Sequence, residues 1–313
     1  MQENIKIWVG EMGPARLASE SVAGGDYKLL DSGGGEKLEE IGGKRIIRKE
    51  PRAWWNKTVA SSWQPVVSNL EEVIDIGIGN IKAKIKYKNT SKHIGIFPEQ
   101  APQWQWMSKK LKDLKIERLK DSGKKGEEIK ILNLFGYTGI ASLVAAQSGA
   151  KVTHVDASKQ SVDWARENQK LSGLEGAPIR WIVDDVIKFV RKKVKQGKKY
   201  DAIIMDPPSY GRGPKGEVWK IEERLPELLE VCRQILSDKP LFVIFNMYST
   251  ELSSISVANL LADMTKGLGG NIESGELAIK HWGSERLLPM SIFAIWNTTS
   301  SPTLPLAKGK GEK

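Results

Sequence analysis

Apolar and polar positions alternate in short segments from Ile5 to about Ile96: Lys6-Ile7-Trp8-Val9, Lys44-Arg45-Ile46-Ile47-Arg48 and Ile81-Lys82-Ala83-Lys84-Ile85-Lys86-Tyr87. A period of two places one face of a strand on a core and the other in water, as antiparallel sheets require. Turn signals at Ala23-Gly24-Gly25-Asp26 and Asp31-Ser32-Gly33-Gly34-Gly35 separate the segments, which predicts a small antiparallel β module over residues 1–93, of barrel or sandwich type. After Pro98 the texture changes. A helical stretch from Gln103 to Leu119 and a Gly/Lys-rich linker from Asp121 to Gly126 lead into short apolar runs. These are Ile129–Leu134, Lys151–Val155, Ile179–Val183, Tyr200–Met205, Leu241–Asn246 and Ser291–Trp296, with helical segments between the first five. Continuous apolar runs are strands buried on both faces, so residues 94–299 read as a doubly wound α/β domain with a mostly parallel sheet. Ligands of such sheets bind beyond the carboxyl ends of the strands, at the switch in strand order.

Composition supports this organisation and limits the chemistry. With 313 residues, 40% of them apolar, the chain can hold one large α/β domain and a smaller module. A balance of 48 Lys and Arg against 38 Asp and Glu gives a net charge of +10, which suits a polyanionic partner, although much of the excess lies in Lys188–Lys199 and the tail at 300–313, expected to be disordered. The lone Cys232 and three dispersed histidines offer neither a disulfide nor a metal-ligand spacing, so no metal is expected. No apolar run is long enough for a bilayer, and Met1-Gln2-Glu3-Asn4-Ile5-Lys6 lacks the succession of a signal peptide, so a cytoplasmic protein is expected, as monomer or homodimer.

Chemistry-bearing residues follow the strands. The first apolar run enters Asn133-Leu134-Phe135-Gly136-Tyr137-Thr138-Gly139, whose glycines permit close backbone approach and which opens an Ala-rich helix. Only two glycines are present, which leaves less room for a pyrophosphate than a dinucleotide fingerprint does. The second run ends Asp156-Ala157-Ser158, about 20 residues further on, where a carboxylate can accept from ribose hydroxyls. As an alternative, Asp156 caps the following helix, though Ser158 is better placed to do so. The third ends Asp184-Asp185-Val186; either aspartate could meet an adenine amino group or cap a helix, and Asp185 is preferred because Val186 offers an apolar face. The fourth ends Asp206-Pro207-Pro208-Ser209-Tyr210, a rigid loop whose proline carbonyls should point outward to hold an amino group or ring nitrogen, with Tyr210 able to stack on a base.

With these strand ends the chain resembles class I S-adenosylmethionine-dependent methyltransferases, and among them bacterial 23S ribosomal RNA methyltransferases, over about residues 94–296. The resemblance implies a Rossmann-like fold with a seven-stranded sheet, S-adenosylmethionine as cofactor and RNA, ribosomal RNA above all, as partner. It extends to Gly95-Ile96-Phe97-Pro98-Glu99-Gln100, similar to the aromatic-x-x-Gln segment these enzymes place over the cofactor, so Phe97 and Gln100 should border the pocket; the bland alternative makes Phe97 core and Gln100 a helix-entry residue. One departure narrows the chemistry. Members that make 5-methylcytosine use a cysteine nucleophile, but the strand end Asn246-Met247-Tyr248-Ser249 has none and Cys232 sits in an apolar helical run. Direct transfer to a nitrogen or oxygen is therefore expected, positioned by Asp206, Pro207 and Pro208. Arg212 and Lys215, with Arg52, Trp54, Trp55 and Lys57 of the β module, could contact RNA. A protein or small-metabolite substrate, and a non-catalytic cofactor-binding RNA chaperone, stay open at this point.

Overall fold

The computed structural model describes residues 6–10, 26–58, 63, 66–89, 93–122, 128–248 and 251–298. The turn residues Ala23, Gly24 and Gly25, most of the linker Asp121–Gly126, Ser249 and the tail at 300–313 lie outside them. In chain order the elements are β1 (Lys6–Gly10), β2 (Tyr27–Gly33), β3 (Glu36–Ile41), β4 (Lys44–Lys49), β5 (Asn69–Asp75), β6 (Lys82–Lys88), α1 (Ala101–Ser122), β7 (Lys130–Leu134), α2 (Ile140–Gln147), β8 (Lys151–Asp156), α3 (Lys159–Leu171), β9 (Ile179–Val183), α4 (Val186–Lys195), β10 (Ala202–Met205), β11 (Tyr210–Arg212), β12 (Val218–Lys220), α5 (Ile221–Gln234), β13 (Phe242–Met247), α6 (Ser254–Thr265), β14 (Asn271–Lys280) and β15 (Leu287–Asn297).

The large sheet has the order β1-β14-β15-β13-β10-β7-β8-β9. Strands β13, β10, β7, β8 and β9 run parallel, and β15 runs antiparallel to both of its neighbours. The chain winds from β7 outward to β9 and then crosses to β10 on the other side of β7, so the switch point lies between β7 and β10. Every residue of β10 and β13 is buried, the burial expected of strands covered on both faces.

Two sequence expectations need correction. Lys6-Ile7-Trp8-Val9 is a strand, but it pairs parallel with β14, from Lys6 opposite Gly275 to Gly10 opposite Ile279, and so adds an eighth strand to the expected seven. Alternation identifies a half-buried strand without naming its partner, and Ile7 on this edge is half exposed. The second correction concerns Asp31-Ser32-Gly33-Gly34-Gly35. Only Gly34 and Gly35 turn, with φ of 59° and 78°, while Asp31 to Gly33 complete β2. Asp31 is buried and its carboxylate accepts from the Thr58 amide and the Trp63 indole, each at 2.9 Å.

The antiparallel module consists of the sheet β2-β3-β4 and the hairpin β5-β6. It shares one apolar core with a face of the large sheet: Leu29, Ile46 and Ile85 pack in the same cluster as Trp104, Ile131, Ile244 and Phe293. Polar contacts reinforce the docking. The Trp164 indole donates to the Lys84 carbonyl at 3.0 Å, the Lys84 amide donates to Asn168 Oδ1 at 2.8 Å, and Ser32 Oγ lies 2.7 Å from His281 Nε2. A module fixed in this way can present a wall to the carboxyl ends of the strands. No helix among the described residues is long and apolar enough to cross a membrane.

Candidate active site

A cavity of about 610 Å³, the size of a small-molecule site, opens at the carboxyl ends of β7, β8, β9 and β10. The loop after β7 forms part of its wall through Phe135 and Tyr137, whose φ values of 55° and 51° are left-handed without being glycine. Such strain persists only where the surroundings hold it. Here Tyr137 N donates to Asp156 Oδ2 at 2.8 Å, Gly95 N donates to the Tyr137 hydroxyl at 3.1 Å, and Thr138 Oγ1 donates to the Gly95 carbonyl at 2.7 Å.

The remaining loop residues lie beneath this wall rather than on it. Asn133 Nδ2 donates to Ser142 Oγ at 2.9 Å, which in turn lies 3.0 Å from His154 Nδ1. A Cβ on Gly136 would sit 2.4 Å from His154 Cε1, and one on Gly139 would sit 2.8 Å from the Ala165 Cβ. Both glycines therefore serve packing. Gly139 also has φ of 82°, so Gly139→Ala combines backbone strain with overpacking and is expected to destabilise the protein by about 2–4 kcal/mol in urea unfolding; a wild-type midpoint would contradict this.

Burial depresses the buried His154 imidazole from 6.5 to about 3, and its Nε2 has no partner among the described residues. With a lowered folded pKa the unfolded chain binds the extra proton, so this contribution to stability is intact above 6.5 and is lost as pH falls toward 3. The His154 ring signals should accordingly not titrate between about pH 8 and pH 5 in NMR, and a midpoint near the ordinary histidine value would refute the burial argument.

The acidic residues separate by environment. Asp156 Oδ1 accepts from Ser158 N at 2.8 Å and its Oδ2 from Tyr137 N, while Ser158 Oγ caps α3 by accepting from Ser161 N at 3.1 Å. The cap thus belongs to Ser158, and Asp156, with Ala157 and Ser158, faces the cavity. Burial pushes the Asp156 carboxyl up, against its two amide donors. Asp185 caps α4 by accepting from Lys188 N at 2.9 Å and also lines the cavity beside Val186. Asp184 instead accepts from Asp185 N at 2.9 Å and is not on the cavity wall.

Asp206, Pro207 and Pro208 all line the cavity. Asp206 Oδ2 accepts from Gln100 Nε2 at 2.8 Å, and that same nitrogen lies 3.1 Å from the Tyr248 hydroxyl. Asp206 Oδ1 is buried with no partner among the described residues. Burial pushes the carboxyl up to about 7, the Gln100 hydrogen bond opposing and the Glu99 charge adding. The expectation that both proline carbonyls point outward is corrected: the Pro208 carbonyl accepts from the Trp219 indole at 2.6 Å. Tyr210 is displaced as well. It lies on the β11–β12 hairpin across from Lys220, more than half exposed and off the cavity wall, while its neighbours Gly211, Arg212 and Gly213 line it. Phe97 packs 5.4 Å from Tyr137 and 5.3 Å from Tyr248, centroid to centroid, and Gln100 is buried behind it.

Sequence reasoning missed Tyr248, Trp219 and the module residues Lys37, Arg48 and Lys49, which also line the cavity, as does Arg52, which the sequence had placed on a surface for RNA. Tyr248 directly follows β13, so the strand-end rule could have found it; the module residues reach the site only through docking. Cys232 is fully buried in the second core cluster and does not line the cavity, and burial pushes its thiol up.

Strand order and a carboxylate-rich cleft at the switch point define a protein of the doubly wound α/β class with a candidate ligand site at the strand ends. A profile of the S-adenosylmethionine-dependent methyltransferase family matches residues 110–240. An S-adenosylmethionine-dependent methyltransferase from Agrobacterium tumefaciens is 36% identical, with a TM-score of 0.79 over 95% of this chain and 100% of that one. The chain belongs to the S-adenosylmethionine-dependent methyltransferase family. A second structure, a methyltransferase of this kind from Streptococcus mutans, shares the fold at 18% identity and a TM-score of 0.59 over 87% of this chain and 75% of that one. Ribosomal RNA large subunit methyltransferase K/L of Shewanella frigidimarina is 38% identical over 117 residues, 37% of this chain and 16% of that protein. Methyltransferase I of Klebsiella pneumoniae is 43% identical over 105 residues, 33% of this chain and 24% of that protein. The chain therefore spans less than a quarter of the length of either relative.

The donor set suits the family's cofactor. Carboxylates at Asp156 and Asp185 can accept from ribose hydroxyls and an adenine amine, and Asp206 lines the same cavity with its Oδ1 buried and without a partner among the described residues.

Proposed function

We propose that this protein methylates RNA, ribosomal RNA being the substrate, by direct transfer without a cysteine nucleophile. The observation that carries the reading is Asp206, whose Oδ1 is a buried acceptor without a partner among the described residues, lining a cavity whose other wall is basic through Lys37, Arg48, Lys49, Arg52 and Arg212. The two ribosomal RNA methyltransferases related to part of the chain favour the same substrate.

S-adenosylmethionine, when bound, supplies an electrophilic methyl group on a sulfonium. Asp156, Ala157 and Ser158 would hold its ribose, Asp185 and Val186 its adenine, with Phe97, Phe135 and Tyr137 closing the apolar sides. Asn133, Gly136, Thr138, Gly139 and Asp184 keep the loops in shape. Asp206 and the Pro207 carbonyl orient the attacking nitrogen, and Asp206, poised near 7, can accept its proton. Tyr210 and Arg212 at the rim would meet neighbouring nucleotides. Comparing the methylated positions of ribosomal RNA from cells with and without the protein tests the reading. A site lost on deletion and restored by the gene is expected; an unchanged map with label entering proteins or metabolites would overturn it.

A further inference from the structure

Trp54 and Trp282 stand in solvent, 89% and 66% exposed. Trp54 belongs to the loop after β4, whose Glu50, Pro51 and Arg52 line the cavity. Its neighbours turn inward. Ala53 is fully buried, its amide donating to the Glu50 carbonyl at 3.0 Å and its carbonyl accepting from Gly35 N at 2.8 Å, and the Trp55 indole donates to the Ser32 carbonyl at 2.7 Å. Trp282 lies in the turn between β14 and β15, where its amide donates to the Leu29 carbonyl at 2.7 Å; Met290, further along β15, lines the cavity. The Arg286 guanidinium lies 5.8 Å from the Trp55 ring and joins the two segments. Both exposed rings are thus carried on backbone that the fold fixes. An indole is the largest apolar side chain, and a pair of them held out in this way beside a ligand cavity marks a contact surface.

Charge points to the partner. Lys28, Arg52 and Lys57 are paired with Glu40, Glu50 and Glu36 at 2.8, 3.4 and 2.7 Å, and Glu285 is paired with Lys280 at 2.8 Å. Lys49, on the cavity wall, and the exposed Arg286 form no ion pair among the described residues, so the surface keeps a cationic surplus. We propose that this surface binds the unpaired RNA that flanks the target nucleotide, with one base stacked on Trp54, another on Trp282, and backbone phosphates at Lys49 and Arg286. This rests on the RNA methyltransferase reading above. Bases inside an A-form helix stack on one another and offer no face to an indole, so the surface selects single strands; stacking reads no base edge, so it tolerates any sequence. Residues adjacent in the chain therefore part in role. Trp55 and Lys57 are scaffold, the Lys57 ammonium lying 3.8 Å from the centre of the Trp63 ring, whereas Trp54 joins Trp282 from the far end of the chain.

Titrating the protein with a labelled oligoadenylate of about twelve nucleotides, alone and annealed to its complement, tests the proposal. The single strand should bind about tenfold more tightly than the duplex. Trp54→Ala and Trp282→Ala, each checked for a native unfolding transition, should weaken single-strand binding by about tenfold and raise the KM for ribosomal RNA, while calorimetric affinity for S-adenosylmethionine stays unchanged. Trp54→Phe, which keeps an aromatic face, should recover most of the loss, and Arg286→Gln should reduce the slope of log affinity against log salt by about 0.7. Equal binding of strand and duplex would overturn the proposal and leave the RNA reading standing. So would tryptophan variants that bind oligoadenylate and methylate ribosomal RNA as the wild type does, which would assign the surface to a protein partner. Wild-type protein that binds no oligoadenylate and methylates no RNA would overturn both readings.

Discussion

Asp206→Asn is expected to lose about a thousandfold in methyl transfer while making the protein more stable above pH 7. The catalytic side follows from the loop after β10: an amide in place of the carboxylate still accepts from Gln100 but cannot take a proton from the attacking nitrogen. The stability side follows from burial. The folded carboxyl titrates near 7 and the unfolded one near 3.8, so the native state holds the extra proton between these values. Stability therefore falls as pH rises through that window, and the whole cost is present above it. Three units correspond to about 4 kcal/mol at most, so a gain of about 2–4 kcal/mol at pH 8 is expected for the asparagine variant, shrinking toward zero near pH 4. Urea unfolding across this range measures it. A variant less stable than wild type at pH 8 would show that the carboxylate is satisfied after all.

Asp156→Ala should weaken S-adenosylmethionine binding by about a hundredfold, because it removes the proposed acceptor for the ribose and releases the amides of Tyr137 and Ser158 that shape the strained loop. Asp156→Asn retains one acceptor and should fall between the two. Calorimetry with S-adenosylmethionine distinguishes this from a role in substrate binding, which would leave cofactor affinity intact.

The strands of the α/β core were legible because strands buried on both faces are largely apolar, as β10 is throughout and as β7 and β13 are but for Lys130, Asn133 and Asn246. The acidic half of the site was legible for the same reason: in a parallel sheet the polar residue ending such a run stands at the ligand edge, and Asp156, Asp185 and Asp206 all line the cavity. What escaped depends on partners distant in sequence. Strand β14 carries Glu273, Ser274, Gly275 and Glu276 and does not read as a buried run, though β1 and β15 flank it. The occupied Pro208 carbonyl depends on Trp219 returning over a hairpin, and the reach of Arg48 and Lys37 into the cleft depends on how the β module docks.

The central claim is that the cleft built by Phe135, Asp156, Asp185 and Asp206 transfers methyl groups to RNA. Incubating the purified protein with S-adenosylmethionine labelled on the methyl group and ribosomal RNA from cells lacking the protein tests it most directly. Label should enter the RNA with wild-type protein and be nearly absent with Asp206→Asn. Label that stays out of every RNA, or enters equally with the asparagine variant, would contradict the account.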